Sequence, residues 1–263
     1  MAYAERVLAL DVGASSIKAA EFEYSAKGEI TLVNFVLKEY GEELTDVNRT
    51  AVLMQLFREI IQEKGITAKK AMVSLSGQSA FIRFVKLPPV AEEEKRVRQI
   101  VEFEARQNVP FPMDEVIWDY QLIASAESDE MDVMFVVIKN DSVEQVTRAV
   151  QGVGLDPVLV DVAPVACYNA SRANKIGDDE CVVILNIGAR CSNLLFVDRN
   201  RFFARTIPIA GYTITQQIAK EFNISVEEAE KMKRCMALSA WAAPMKARNP
   251  RPLPPFPRLS ATS

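Results

Sequence analysis

Apolar residues along the chain fall into two spacings, and the switches between them divide it into elements. Val7-Leu8-Ala9-Leu10-Asp11-Val12 is a nearly continuous apolar run, the pattern of a strand buried on both faces. Segments 17–24 and 29–37 flank a turn at Lys27-Gly28, which predicts a hairpin. From about Asp46 to Lys64 the period becomes helical. Leu53, Leu56, Phe57, Ile60 and Ile61 recur at i, i+3, i+4, i+7 and i+8, and Gly65 closes the helix. Segment 71–76 predicts another buried strand. Residues 81–87 alternate as a half-exposed strand that ends at Pro88-Pro89. A helix is predicted over 91–107, with Glu92, Glu93 and Glu94 matched to the positive end of its dipole. Strands follow at 116–123 and 132–139, then a helix from Asp141 that stops at Gly152 and Gly154. This strand–helix–strand–strand–helix block, 77–156, reads as a compact α+β insert.

The buried-strand style returns at 158–162 and 182–188, on either side of a helix from Pro164 to Asn174. Segment 194–209 predicts a hairpin turning at Asp198-Arg199-Asn200. Two helices follow, 213–222 and 225–233, the second opened by a Ser225-x-x-Glu228 capping box. From Cys235 onward the periodicity stops. Six prolines occupy 244–257, so 235–263 is expected to be a disordered or polyproline-like tail.

Composition narrows the chemistry. A chain of 263 residues, 49% hydrophobic and 25% charged, is a folded chain of one large or two ordinary domains. A net charge of −4 without a basic stripe argues against nucleic-acid binding. No segment approaches the roughly 18–20 apolar residues of a membrane span. The start, MAYAERVLALDV, lacks the layout of a signal peptide, and a cytoplasmic protein is expected. With no histidine at all, Ser-His-Asp and Cys-His nucleophile pairs, histidine-ligated zinc and imidazole acid–base catalysis are excluded together. Cys167, Cys181, Cys191 and Cys235 show no CxxC spacing. Each lies in or beside an apolar run, so buried thiols in a reducing compartment are expected.

One constellation points to phosphate. In Leu8-Ala9-Leu10-Asp11-Val12-Gly13-Ala14-Ser15-Ser16-Ile17-Lys18 a strand ends at an aspartate and a Gly/Ala/Ser turn leads into the next strand. Small residues let backbone N–H groups approach a phosphate, and Ser15 and Ser16 add hydroxyl donors. Asp11 can hold a hydrated Mg²⁺, and Lys18 can reach a phosphate as a point charge. By itself the segment fits a plain hairpin equally well. A second copy, Val182-Val183-Ile184-Leu185-Asn186-Ile187-Gly188-Ala189-Arg190-Cys191-Ser192-Asn193, favours two facing loops that clamp one nucleotide. No GxxxxGK[ST] or GxGxxG motif competes with this reading.

Together these loops resemble the actin-like ATPase superfamily. GQSAFIRFVKLP, IVEFEARQNVPFPMDEVIWDYQLI, GLDPVLVDVAPVA and GYTITQQIAKEFNISVEEAEKMK narrow the resemblance to the PilM family of type IV pilus assembly, related to FtsA. It covers residues 5 to about 234. The resemblance implies an actin-like, ribonuclease H-like α/β fold. Residues 1–76 and 157–178 would form the first domain, 77–156 an inserted α+β subdomain, and 179–234 an incomplete second domain. It also implies ATP with Mg²⁺, bound by Asp11, Gly13, Ala14, Ser15, Ser16 and Lys18 in the first loop and by Asn186, Gly188 and Ala189 in the second. The superfamily's second loop normally carries Asp where this chain has Asn186, which implies binding with weak or no hydrolysis. Glu230 and Lys233, at i and i+3 of one helix, match the edge of the family's nucleoside pocket, or form an ordinary surface ion pair.

The implied partner is the cytoplasmic tail of an inner-membrane, PilN-like assembly protein, which would recruit this chain to the membrane face along with other pilus-machine components. An apolar groove between insert and first domain would receive it, with Phe111 and Trp118 as candidates; the alternative for both is core packing of the insert. Two further functions compete: a small-molecule kinase of the same superfamily, and a nucleotide-free interaction fragment.

Overall fold

Alternation in the first strand sets the geometry, because Leu8, Leu10 and Val12 all bury on one face. The computed structural model describes residues 5–41, 43–87, 94–124, 131–199 and 201–242. The elements run β1 (Glu5–Val12), β2 (Ser16–Tyr24), β3 (Ile30–Glu39), α1 (Arg49–Lys64), β4 (Lys70–Leu75) and, after a 3-10 turn at Gly77–Ser79, β5 (Ala80–Leu87). Next come α2 (Glu94–Asn108), β6 (Val116–Ala124), β7 (Met131–Lys139), α3 (Asn140–Gln151), β8 (Asp156–Val162) and α4 (Ala163–Ala173). The last are β9 (Val182–Ile187), β10 (Ser192–Asp198), β11 (Arg201–Ile207), α5 (Gly211–Phe222) and α6 (Val226–Ala242).

A five-stranded sheet, ordered β3-β2-β1-β4-β8, carries the first core. β1, β4 and β8 run parallel, while β1-β2-β3 is an antiparallel meander. On one face, Leu53, Phe57 and Ile60 of α1 and Val146, Ala149 and Val150 of α3 join Leu8, Leu10 and Val73. Burying each such large side chain contributes roughly 1.5–3 kcal/mol. Gly65 ends α1 in the left-handed region, φ 60°, and its N–H donates to the Ile61 carbonyl. A fully buried glutamate ties this sheet to the α1–β4 connection. Glu21 accepts from Thr67 N (2.8 Å), Ala68 N (2.9 Å) and Asn34 Nδ2 (2.7 Å). Burial pushes its pKa up, but these bonds outweigh burial and hold the carboxyl below its ordinary value.

The insert's sheet is ordered β5-β7-β6, all antiparallel. β7 serves two cores by alternation. Val133, Phe135 and Val137 meet Val101 and Ala105 of α2, while Met134 faces a third core with Leu195, Val197, Phe202 and Ala204. The third sheet, β11-β10-β9, is antiparallel.

Several expectations change. The first strand is not buried on both faces along its whole length: on the face opposite Leu8 and Leu10, Val7 is buried but Ala9 and Asp11 are half-buried and line a hollow. β9 is likewise one-sided, with Val183, Leu185 and Ile187 each more than half exposed. The helix over 140–151, grouped by sequence with the insert, packs against α1 instead. Only Cys191 is buried; Cys167 is intermediate, and Cys181 and Cys235 are exposed. The final helix does not stop at Lys233 but continues to Ala242. Arg234-Cys-Met-Ala-Leu-Ser-Ala-Trp-Ala is made largely of good helix formers, and the first proline comes only at Pro244. The remainder of the expected tail, 243–263, and the Glu92-Glu93 start of α2 lie outside the described residues.

Residues up to Thr213 form one compact unit and those from Ile214 a second. In the second, the capping box forms as expected, with Ser225 Oγ accepting from Glu228 N and Glu228 Oε2 from Ser225 N, both at 3.1 Å. Among the described residues no helix is long and apolar enough to cross a membrane.

Candidate functional site

Two turns of the same construction carry the phosphate-type residues. In the first, Gly13 N–H donates to Ser16 O at 3.1 Å, joining β1 to β2 with Val12 opposite Ile17. In the second, Gly188 N–H donates to Cys191 O at 3.0 Å, joining β9 to β10 with Ile187 opposite Ser192. The register extends the equivalence: Asp11 faces Lys18 as Asn186 faces Asn193. Space is short at both corners, and shortest at the second. A Cβ at Gly13 would lie 3.0 Å from Ser16 O, and at Gly188 only 2.7 Å from Cys191 O.

Asp11, Gly13, Ala14, Ser15, Ser16, Lys18, Asn186, Gly188 and Ala189 all line one cavity. It is also lined by residues that sequence reasoning did not assign: Ser76, Gly77, Ala163, Arg190, Cys191 and Asn193. Arg190, Cys191 and Asn193 belong to the second-loop segment itself; for Ser76, Gly77 and Ala163 no local pattern distinguished them. Gly77 is there because β10 comes close, its missing Cβ falling 2.4 Å from Asn193 Oδ1. Lys18 Nζ donates to Asp11 Oδ2 at 2.6 Å, and Arg190 pairs with Glu43. Tyr40 braces the first loop from behind: its hydroxyl donates to Gly13 O at 3.0 Å and its N–H to Ser15 O at 3.0 Å. Burial pushes the Tyr40 hydroxyl far above its ordinary pKa, so it stays a donor. On the α4 side, Asn186 Nδ2 reaches Cys167 Sγ at 3.8 Å, and burial raises that thiol's pKa.

The donor set suits a polyphosphate. Small-residue turns, the hydroxyls of Ser15, Ser16 and Ser76, and two cations supply what phosphate oxygens accept. Among the described residues no three His, Cys, Asp or Glu side chains gather as a metal cage. A single carboxylate, Asp11, nevertheless fits a Mg²⁺ that keeps most of its waters and takes phosphate oxygens.

In the second unit, Glu230 and Lys233 do meet. Glu230 Oε2 accepts from Lys233 Nζ and Thr215 Oγ1, both at 2.6 Å, and Oε1 from Arg234 Nε at 3.0 Å. Burial pushes the Glu230 carboxyl up, but Lys233, Thr215 and Arg234 overcome it and bring the pKa to about 2.

A second feature is a groove between two sheet edges. β6 ends the insert's sheet and β8 ends the large sheet. Ile117, Trp118 and Tyr120 form one wall, Leu159 and Val162 the other, and Asp161 lies between them. Burial raises the Asp161 pKa despite its bonds from Val162 N and Asn169 Nδ2. Trp118 is half-buried, stacked on Tyr120 with centroids 6.2 Å apart, and serves both groove and core. Phe111 is not among the groove's lining residues; it packs on the insert's core with Lys139 Nζ 5.0 Å from its ring centre.

Comparison with known proteins gives these sites a context. A family model described as "Type IV pilus assembly protein PilM" matches residues 9–241. Among solved structures, the "PilM-PilN type IV pilus biogenesis complex" superposes with a TM-score of 0.75 at 26% identity, covering 87% of this chain and 69% of that one. The cytoplasmic domain of EpsL, an inner-membrane component of the type II secretion system of Vibrio cholerae, matches at 9% identity and TM-score 0.48, covering 82% and 75%. MreB 5 of Spiroplasma citri bound to AMPPNP matches at 14% and 0.41, covering 87% and 62%. A family match that takes in both phosphate-type turns and the groove, together with the 0.75 superposition, establishes an actin-like α/β fold, and the chain belongs to the PilM family of type IV pilus assembly proteins.

Proposed function

We propose that this chain is a nucleotide-binding scaffold of type IV pilus assembly that docks the cytoplasmic tail of a membrane-anchored, PilN-like partner. The observation that carries the docking is the groove between β6 and β8. Two terminal strands offer backbone groups to an extended segment, and the apolar walls offer alternate side-chain pockets. The superposition on a PilM–PilN complex supports this partner class. Through that partner the chain would be held at the inner membrane. Nucleotide binding is supported by the convergence of both turns on one cavity. Asp11, through water, would hold Mg²⁺, and ATP would be bound with little turnover because Asn186 supplies no carboxylate for an attacking water. Glu230 and Lys233 are proposed as nucleoside-binding residues on their match to the family's motif.

Docking is tested with a synthetic peptide of a PilN-like cytoplasmic tail, followed by calorimetry and Trp118 fluorescence. Ile117→Lys alters a half-exposed groove residue and is expected to weaken binding at least tenfold while leaving the melting curve in place. Unchanged affinity would remove the groove from the proposal. ATP titration with and without Mg²⁺ tests the cavity, and Asp11→Ala is expected to abolish the Mg²⁺-dependent part of the binding.

A further inference from the structure

We infer that Arg190 is a phosphate ligand held in reserve by Glu43, so that nucleotide and Glu43 compete for one guanidinium; this rests on reading the cavity between the two turns as a phosphate site. Arg190 stands in the second turn, between Ala189 and Cys191, and lines the cavity with Lys18. Each cation already has a carboxylate, Lys18 with Asp11 inside the cavity and Arg190 with Glu43. The two pairs differ in where the anion sits. Asp11 lines the cavity, whereas Glu43 does not and comes from the segment between β3 and α1.

That segment is tied at both ends to structures that matter here. Three residues before Glu43, Tyr40 holds the first turn through Gly13 O and Ser15 O. Glu43 O itself accepts from Asn48 Nδ2 at 3.0 Å, at the start of α1. The Arg190–Glu43 pair therefore links the second turn, through a short stretch of backbone, to the first.

Charge and exposure decide which partner wins. The Arg190 and Glu43 side chains are 47% and 69% exposed, and a pair so open to water contributes little by itself. A phosphate chain carries several charges and accepts a guanidinium bidentately, which is the stronger arrangement. With Asn186 and Asn193 as the facing pair of the second turn, no carboxylate of that pair opposes the incoming anion. Binding then exchanges one anion for another on Arg190 and releases the Glu43 side chain.

The exchange predicts effects of opposite sign from two mutations that break the same pair. Using the full chain, affinity for ATP and for inorganic tripolyphosphate is measured by calorimetry for wild type, Arg190→Gln, Arg190→Lys and Glu43→Gln. Arg190→Gln is expected to weaken both ligands about tenfold or more. Arg190→Lys should recover part of that loss, since lysine acts as a point charge without the bidentate fork. Glu43→Gln should tighten both ligands severalfold, because the competitor is gone. Adenosine should bind all four proteins alike. If Arg190→Gln and Glu43→Gln shift affinity in the same direction, the pair is only a structural clamp and the inference is overturned. It is overturned alone if wild type binds ATP and neither variant differs, and together with the phosphate reading if wild type binds neither ATP nor tripolyphosphate.

Discussion

Substituting Gly188 by alanine tests the second turn where its tolerance is smallest. Gly188 does not have a left-handed φ, so the restriction is one of space. The new Cβ would lie 2.7 Å from Cys191 O, the same oxygen that accepts the Gly188 N–H at 3.0 Å. Reaching even the roughly 3.3 Å of a weak C–H···O contact requires a shift of about 0.6 Å between two backbone segments. Overpacking of this kind costs about 1–3 kcal/mol, and a weakened turn bond adds up to about 1. For a domain of this size, about 1–4 kcal/mol in all lowers the melting temperature by roughly 2–16 °C. Gly13→Ala meets Ser16 O at 3.0 Å, a milder overlap, and should cost about 1 kcal/mol, or roughly 2–4 °C. Gly41→Ala has open space within 4 Å and is the neutral control. Differential scanning calorimetry should give the order Gly188→Ala, Gly13→Ala, Gly41→Ala, and ATP titration the same order of lost affinity. A Gly188→Ala protein that melts and binds like the Gly41 variant would refute the steric reasoning.

Other consequences are testable in the same protein. The Glu21 carboxyl is held below its ordinary 4.5, so its contribution is present above that value and is lost as pH falls through the depressed folded-state pKa. Urea melts of Glu21→Gln should show a loss of about 1–3 kcal/mol at pH 7, as charge-assisted bonds become neutral ones, and a flatter decline below pH 4.5 than wild type. Tyr40→Phe removes the bond to Gly13 O and should cost about 1 kcal/mol in the same melts, with a severalfold loss in ATP affinity.

Much of this protein was legible in its sequence because the relevant signals are local. The helical period of Leu53, Phe57 and Ile60, the left-handed cap at Gly65 and the Ser225–Glu228 capping box each depend on neighbours within a few residues. The two Gly-Ala turns were visible for the same reason, since strand, polar residue and small-residue corner are contiguous. What the sequence left undecided is what depends on distant pairing. An apolar run states that residues avoid water but not which face finds a cover, so β1 and β9 read as buried on both sides and are not. Glu21 looks like one more polar position in an alternating strand until the fold brings Asn34, Thr67 and Ala68 to its oxygens. The groove exists only because β6 and β8 end two different sheets, a property of strand order that no stretch of sequence contains. Arg190 and Glu43 are separated by 147 positions, and only the tertiary structure makes one the counter-ion of the other.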